Sequence, residues 1–192
     1  MITIPKVFIT EQMKRQAEIE AARRNPFIKH HFEVKHFTPQ QRDVLGFLGE
    51  FACSEFFGLN YKDNIRQDYK TIDNYDFCYN GKKIDVKTET IPKRHARKLL
   101  RKQIKDNDLY GRRLIHYGQI NLMTKYDIVL FGIFVREHTE YWYPLGYIET
   151  KEILKNYKPT INRPDGGKYH YEALPIKNSD LKPIKNLLNK NK

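Results

Sequence analysis

The stretch Asp76–Glu89 reads DFCYNGKKIDVKTE. At its centre, Asn80-Gly81 is the pair best able to take the positive φ angles of a two-residue type I′ turn. Apolar and polar residues alternate on both sides, as they do in half-buried strands. A two-residue turn sets Tyr79 opposite Lys82, Cys78 opposite Lys83, Phe77 opposite Ile84 and Asp76 opposite Asp85. Because strand side chains alternate, Asp76, Cys78, Lys83, Asp85 and Lys87 share one face. Tyr75, Phe77, Tyr79, Ile84 and Val86 share the other, which is the expected core face. Like charges directly opposite destabilise a sheet. Two carboxylates placed this way ask for a cation.

Upstream, Thr38-Pro39-Gln40-Gln41 carries the signals of a helix start: a Thr cap, Pro at the first helical position and Gln three residues after the cap. The helix is expected to run through RDVLGFLGEFACSEFF to Gly58, with Val44, Leu45, Phe47, Leu48, Phe51, Ala52 and Phe56 making it broadly buried. Gly46 and Gly49 each cost roughly 1 kcal/mol of helix propensity. Close approach to a sheet is their expected reason. Glu50 sits in the middle of this apolar helix. Further upstream, Thr10 caps an expected helix over EQMKRQAEIEAARR, whose sparse apolar positions suggest a loosely packed arm. The segment FIKHHFEVKHF that follows is a short strand or an irregular link.

Downstream of the hairpin, helix is expected from Lys93. Lys93, Arg94, Arg97, Lys98, Arg101, Lys102 and Lys105 then form one broad cationic side over a narrow strip of Leu99, Leu100 and Ile104. YDIVLFGIFV reads as a central buried strand, and EYWYPLGYIE as another broken at Pro144. A short helix from Glu149 to Tyr157, a strand over KYHYEALPI and a C-terminal helix opened by Ser179 complete the pattern. The order implies a mixed α/β domain with a central sheet.

The chain has 192 residues, which suits one domain or one domain with an extension, and 40% hydrophobic residues suffice for a core. Its net charge of +12 points to a polyanionic partner, usually nucleic acid. Twelve Lys/Arg against four acids between Lys82 and Arg113 give that segment alone +8. A phosphate-binding flank is the functional reading, and a merely solvated basic face is the alternative. No apolar run reaches the ~18 residues that span a bilayer, so no membrane association is expected. MITIPKVFITEQMKRQ lacks a charged start followed by an apolar core, so no secretory signal is expected. Cys53 and Cys78 are the only cysteines, which implies no disulfide framework and suits a reducing cytoplasm. His30, His31 and His36 lack the companions of a structural zinc site.

Paired carboxylates suit Mg²⁺, which binds oxygen ligands and keeps several waters. Asp76 and Asp85, with Glu50 on the helix packed nearby, bring three carboxylates to one spot, and Lys87 adds an ammonium beside them. Other readings remain open: Asp85 and Lys87 as an ordinary exposed strand face, Glu50 as a solvated helix residue, and Asp73 in place of Asp76.

Asp76, then Asp85-Val86-Lys87 after a short hairpin, preceded by a helix bearing Glu50, resembles the PD-(D/E)XK nuclease superfamily. The match covers about Thr38 to Val135, and Tyr75 stands where the motif's name has Pro. The resemblance implies a restriction-endonuclease-like αβββαβ core, with a central mixed sheet flanked by helices, and Mg²⁺-dependent phosphodiester hydrolysis, with Mn²⁺ expected to substitute. It implies Asp76, Asp85 and Glu50 as metal ligands, Val86 as a carbonyl ligand and Lys87 as the catalytic lysine. Residues 1–37 are then the arm and 38–192 the nuclease-like domain. DNA is the expected substrate, and a homodimer is compatible with the reading. The alternatives are a nucleic-acid-binding module on the same fold that has no activity in isolation, and an RNA-binding protein whose acids are coincidental.

Overall fold

The computed structural model describes residues 4–27, 36–70 and 74–188. Asp73, His30 and His31, and most of the segment FIKHHFEVKHF, lie outside the described residues. In chain order the elements are β1 (Val7–Phe8), α1 (Glu11–Arg24), α2 (Pro39–Phe56), β2 (Phe77–Tyr79), β3 (Lys82–Ile91), α3 (Lys93–Leu100), β4 (Arg112–His116), β5 (Ile128–Val135), β6 (His138–Glu149), α4 (Thr150–Asn156), β7 (Thr160–Asn162), β8 (Lys168–Lys177) and α5 (Lys185–Leu188). Five strands make a mixed sheet in the order β1-β6-β5-β3-β2, and three make a second sheet in the order β4-β8-β7.

The hairpin forms in the expected register: Phe77 pairs with Ile84, Cys78 with Lys83 and Tyr79 with Lys82. Asn80 and Gly81 take φ angles of 49° and 73°, the signature of the primed turn. β3 then runs parallel to β5 along its whole length, from Ile84↔Ile128 to Ile91↔Val135. Reaching a parallel neighbour requires a crossover. The chain makes it through α3 and β4.

α2 starts with the full capping box. Thr38 accepts from the Gln41 N–H at 3.2 Å, and the Gln41 side chain accepts from the Thr38 N–H at 2.9 Å. Phe47, Leu48, Phe51 and Ala52 bury its inner face against Ile84, Val86, Leu130 and Trp142. Gly49 is required there: a Cβ would lie 1.9 Å from Thr88 Oγ1 on β3. The same explanation fails for Gly46, where a Cβ meets nothing within 4 Å. The opposite face of β5 packs through Val129 and Phe131 onto Ile115, Leu174 and Ile176 of the second sheet.

The structure corrects several expectations. α1 matches its expected span and its Thr10 cap, but it is no loose arm. Met13, Ala17 and Ala21, spaced by four, bury a narrow stripe in the main core. Small residues at that spacing allow close helix contact, which sparse apolar content concealed. β1 ties the same region to β6 through Val7↔Trp142. Among the described residues, two strands rather than three stand between α2 and α3. The segment before β2 forms a 3₁₀ turn at Tyr61–Asn64, capped by Asn60. α3 ends at Leu100, and Lys102 takes a positive φ of 58°, so Arg101, Lys102 and Lys105 lie beyond the helix. At the C-terminal end, Asn178–Asp180 is a 3₁₀ turn, Lys182 pairs with Tyr147, and helix resumes only at Lys185. Pro183, with no N–H to give, breaks the expected longer helix.

Candidate active site at the open edge of the third strand

On the side away from β5, β2 covers β3 only as far as Ile84. Asp76 closes the gap. Its backbone N–H donates to the Ile84 carbonyl at 2.9 Å, and its carboxylate accepts the Val86 N–H at 2.6 Å. The side chain therefore does the work of a strand for one residue, and β3 continues past it with an uncovered edge. Peptide groups alternate sides along a strand. The carbonyl of Val86 thus faces the same edge as its N–H.

Asp85 and Lys87 follow on alternate positions. The Lys87 ammonium lies 2.9 Å from Asp85 Oδ1 and 2.7 Å from Oδ2. Both side chains are largely covered, at 22% and 14% exposed. Glu50 comes from α2 and is half-buried. Its neighbour Gly49 rests on Thr88, the neighbour of Lys87, so α2 comes close to β3 here, and Glu50 feels the charge of Lys87.

The charges act on one another strongly. Burial pushes the Glu50 carboxyl up to about 7, a rise that Arg24, Arg66 and Lys87 oppose and Asp85 reinforces. Asp76 is raised well above the ordinary range, chiefly by burial, then by the charges of Glu50 and Asp85. Burial alone would lower the pKa of Lys87, but Asp85 and Asp76 outweigh it and hold the lysine as an ammonium. The four residues singled out by the hairpin and helix pattern thus share one electrostatic neighbourhood. Among the described residues, no group of three His, Cys, Asp or Glu is already arranged to hold a metal ion.

Three further residues border this neighbourhood. Arg24 on α1 and Arg66 before β2 supply positive charge near Glu50. The Tyr126 hydroxyl, just ahead of β5, is raised by burial and then by Asp85 and Asp76. None of these three belongs to the hairpin pattern, and long-range contacts alone bring them here. Asp127 lies outside the cluster: it is exposed, and its carboxylate accepts the Lys83 N–H at 2.9 Å. Cys78 is exposed and Cys53 is buried beneath the acids.

The raised carboxyls have a consequence for stability without divalent ions. Unfolded Glu50 titrates near 4.5 and folded Glu50 near 7. Between those values the folded state holds a proton that the unfolded state has lost, so stability falls as pH rises through the window and levels off above it. Urea denaturation in chelator at pH 5 and pH 7.5 should show the loss, and Glu50→Gln should reduce it, the raised Asp76 carboxyl contributing a further part. A parent protein equally stable at both pH values would contradict the buried, mutually repelling acids.

The cationic residues Lys93, Arg94, Arg97, Lys98, Arg101, Lys102 and Lys105 are all exposed. α3 buries Ala96 and Leu99 against Ile91 and Ile133, which turns the first four of these cations outward directly after β3. A cleft of about 900 Å³ opens beside β3, between the first half of α2 and the second sheet.

No protein-family model matches this chain, and no match is found among curated proteins or among solved structures.

Proposed function

We propose that the chain is a divalent-cation-dependent nuclease of PD-(D/E)XK type that hydrolyses phosphodiester bonds, with DNA as the expected substrate. The observation that carries this reading is the gathering of Glu50, Asp76 and Asp85 around Lys87 at one uncovered strand edge, where burial and neighbouring charge resist the ionisation of Glu50 and Asp76. Such a donor set suits a hard dication. Mg²⁺ is commonly held by one or two carboxylates, waters and a substrate phosphate, so Asp76 and Asp85 supply enough protein ligands. Val86 would add its carbonyl, and Glu50 would hold a coordinated water. When bound, the ion polarises the phosphoryl group and lowers the pKa of a water.

The chain's own residues do the rest. Asp76 fixes the edge of β3 through the Val86 N–H, which holds Asp85 and Lys87 in register. Lys87 remains charged and so neutralises the negative charge that builds on the phosphate oxygens. The exposed cations of α3 lie close enough in sequence to position the flanking backbone. A nucleic-acid-binding module without activity is the second reading. It is favoured by the Lys87–Asp85 pair, which already balances one carboxylate internally.

Incubation of the full chain with labelled oligonucleotides, with Mg²⁺ and with chelator, separates the two. Thermal melts give an independent test. Millimolar Mg²⁺ or Mn²⁺ should raise the parent's melting temperature by several degrees, because an ion bound only to the folded state stabilises it by mass action. Asp76→Asn keeps an oxygen for the Val86 N–H but removes the repelled charge. It should melt higher than the parent in chelator at pH 7.5 and show a smaller metal shift. No metal shift in the parent, together with an Asp76→Asn variant less stable in chelator, would make the acids structural.

A further inference from the structure

The cleft beside β3 is lined by Thr88, Glu89 and Thr90 in succession. Side chains of successive strand residues point to opposite faces, so three in a row can border one space only along the strand's edge. This is the edge that β2 leaves uncovered, and by the alternation seen at Ile84 and Val86 it presents the peptide groups of Thr88 and Thr90. The cleft therefore begins one residue beyond Lys87 and offers backbone donors and acceptors along that wall.

The other walls are aromatic and evenly charged. Tyr110, Tyr169 and Tyr171 line the space, and Tyr110 holds a φ of 64°, costly for a bulky residue. Its carbonyl accepts from Arg113 at 2.6 Å and from Asn178 at 3.0 Å, which maintains that backbone. Five Arg/Lys and five Asp/Glu line the cleft, so it attracts phosphate little as a whole. The acids are engaged within the protein: Glu89 by the fully buried Arg113 at 2.8 Å and Asp106 by the Ser179 hydroxyl at 2.6 Å. Beside its charged residues the cleft offers flat tyrosine rings and a hydrogen-bonding peptide edge.

We infer that this cleft binds unpaired nucleobases, so that the favoured substrate carries a single-stranded segment leading to the site. A nucleobase presents a π-face to tyrosine and donors and acceptors to a peptide edge. A continuous duplex hides those faces within its own stack and gains nothing here. Backbone phosphates fall to the exposed cations of α3, and bases to the cleft. The assignment of this strand as substrate rests on the nuclease reading above; the binding itself does not.

The test measures binding in chelator, where no cleavage step enters. A fluorescent deoxythymidine oligonucleotide and a blunt duplex of the same length are titrated with the full chain at fixed salt. The single strand should bind at least about tenfold tighter. Tyr169→Ala should weaken single-strand binding roughly tenfold and Tyr169→Trp should retain it, as expected for one stacked base. A single strand carrying 2-aminopurine at successive positions should change fluorescence on binding at one or more of them, and this needs no variant. Equal affinity for both forms, or no 2-aminopurine response at saturation, overturns the inference. Single-strand preference with no Mg²⁺-dependent cleavage of any oligonucleotide would instead sink the nuclease reading and leave the cleft assignment standing.

Discussion

On the proposed nuclease reading, Asp85→Ala and Lys87→Ala should each lower Mg²⁺-dependent cleavage by at least about a hundredfold, the loss typical of removing one preorganised charge at a reacting centre. The two variants fail for different reasons. Asp85→Ala removes a proposed ligand and leaves Lys87 with the charges of Asp76 and Glu50, so the ammonium stays compensated and the fold should hold. Lys87→Ala keeps the proposed ligands and removes the cation that tempers them. Its metal-free form should therefore melt lower than the parent, and divalent ion should restore more of its stability. Single-turnover cleavage of a labelled oligonucleotide, with melts in chelator and in Mg²⁺, reads both effects. Either variant cleaving within a few-fold of the parent would show that chemistry occurs elsewhere.

The largest expected losses of stability come from two glycines at close contacts of the sheet. A Cβ at Gly132 on β5 would sit 2.2 Å from the indole ring of Trp142, which is 0% exposed and cannot swing away. A Cβ at Gly49 would lie 1.9 Å from Thr88 Oγ1 and 2.7 Å from Thr88 Cβ. Rotating the hydroxyl removes only the first of these contacts. Thr88 is also held, since its Oγ1 accepts the Trp142 indole N–H at 3.2 Å. Overpacking of this kind costs about 1–3 kcal/mol. In a chain of this length that lowers the melting temperature by about 2–4 °C per kcal/mol. Gly132→Ala should reach the upper end, because a strand gains little from alanine. Gly49→Ala should also lose stability despite better helix propensity. Gly46→Ala faces open space and should gain up to about 1 kcal/mol. Three thermal melts decide the set. Gly49→Ala and Gly46→Ala moving together would mean that the close approach of α2 to β3 is wrong.

The parts of the site that local rules govern were legible in the sequence. Asn80-Gly81 admits one tight turn, and that turn dictates which residues face each other as far as Phe77 and Ile84. The start of α2 was equally readable, because Thr38 and Gln41 satisfy each other within four residues. The exact relation of Asp76 to Asp85 was not, since Asp76 leaves the ladder and bonds Val86 with its side chain. Gly49 and Gly46 look alike in sequence and differ only in what lies across from them. The second sheet was hidden for a related reason. Arg113 on β4 is fully buried, a placement that hydrophobic patterning counts against, and its bonds to Glu89 across 24 positions, to Asn178 across 65 and to the Tyr110 carbonyl account for it. Arg24, Arg66 and Tyr126 reach the acids through tertiary packing that no short window contains.

The pairing of Val7 with Trp142 also has a meaning in time. A ribosome adds about 5–20 residues per second, so on the order of ten seconds separate the appearance of these two partners. The Asp76–Glu89 hairpin can close within microseconds of being made. The nascent chain can therefore carry this hairpin long before the N-terminal strand has a neighbour to join. During that interval Met13, Ala17 and Ala21 lack part of the surface that later buries them. A stall or truncation before residue 142 leaves the N-terminal strand without its partner, which makes β6 the step that commits the newly made chain to its final form.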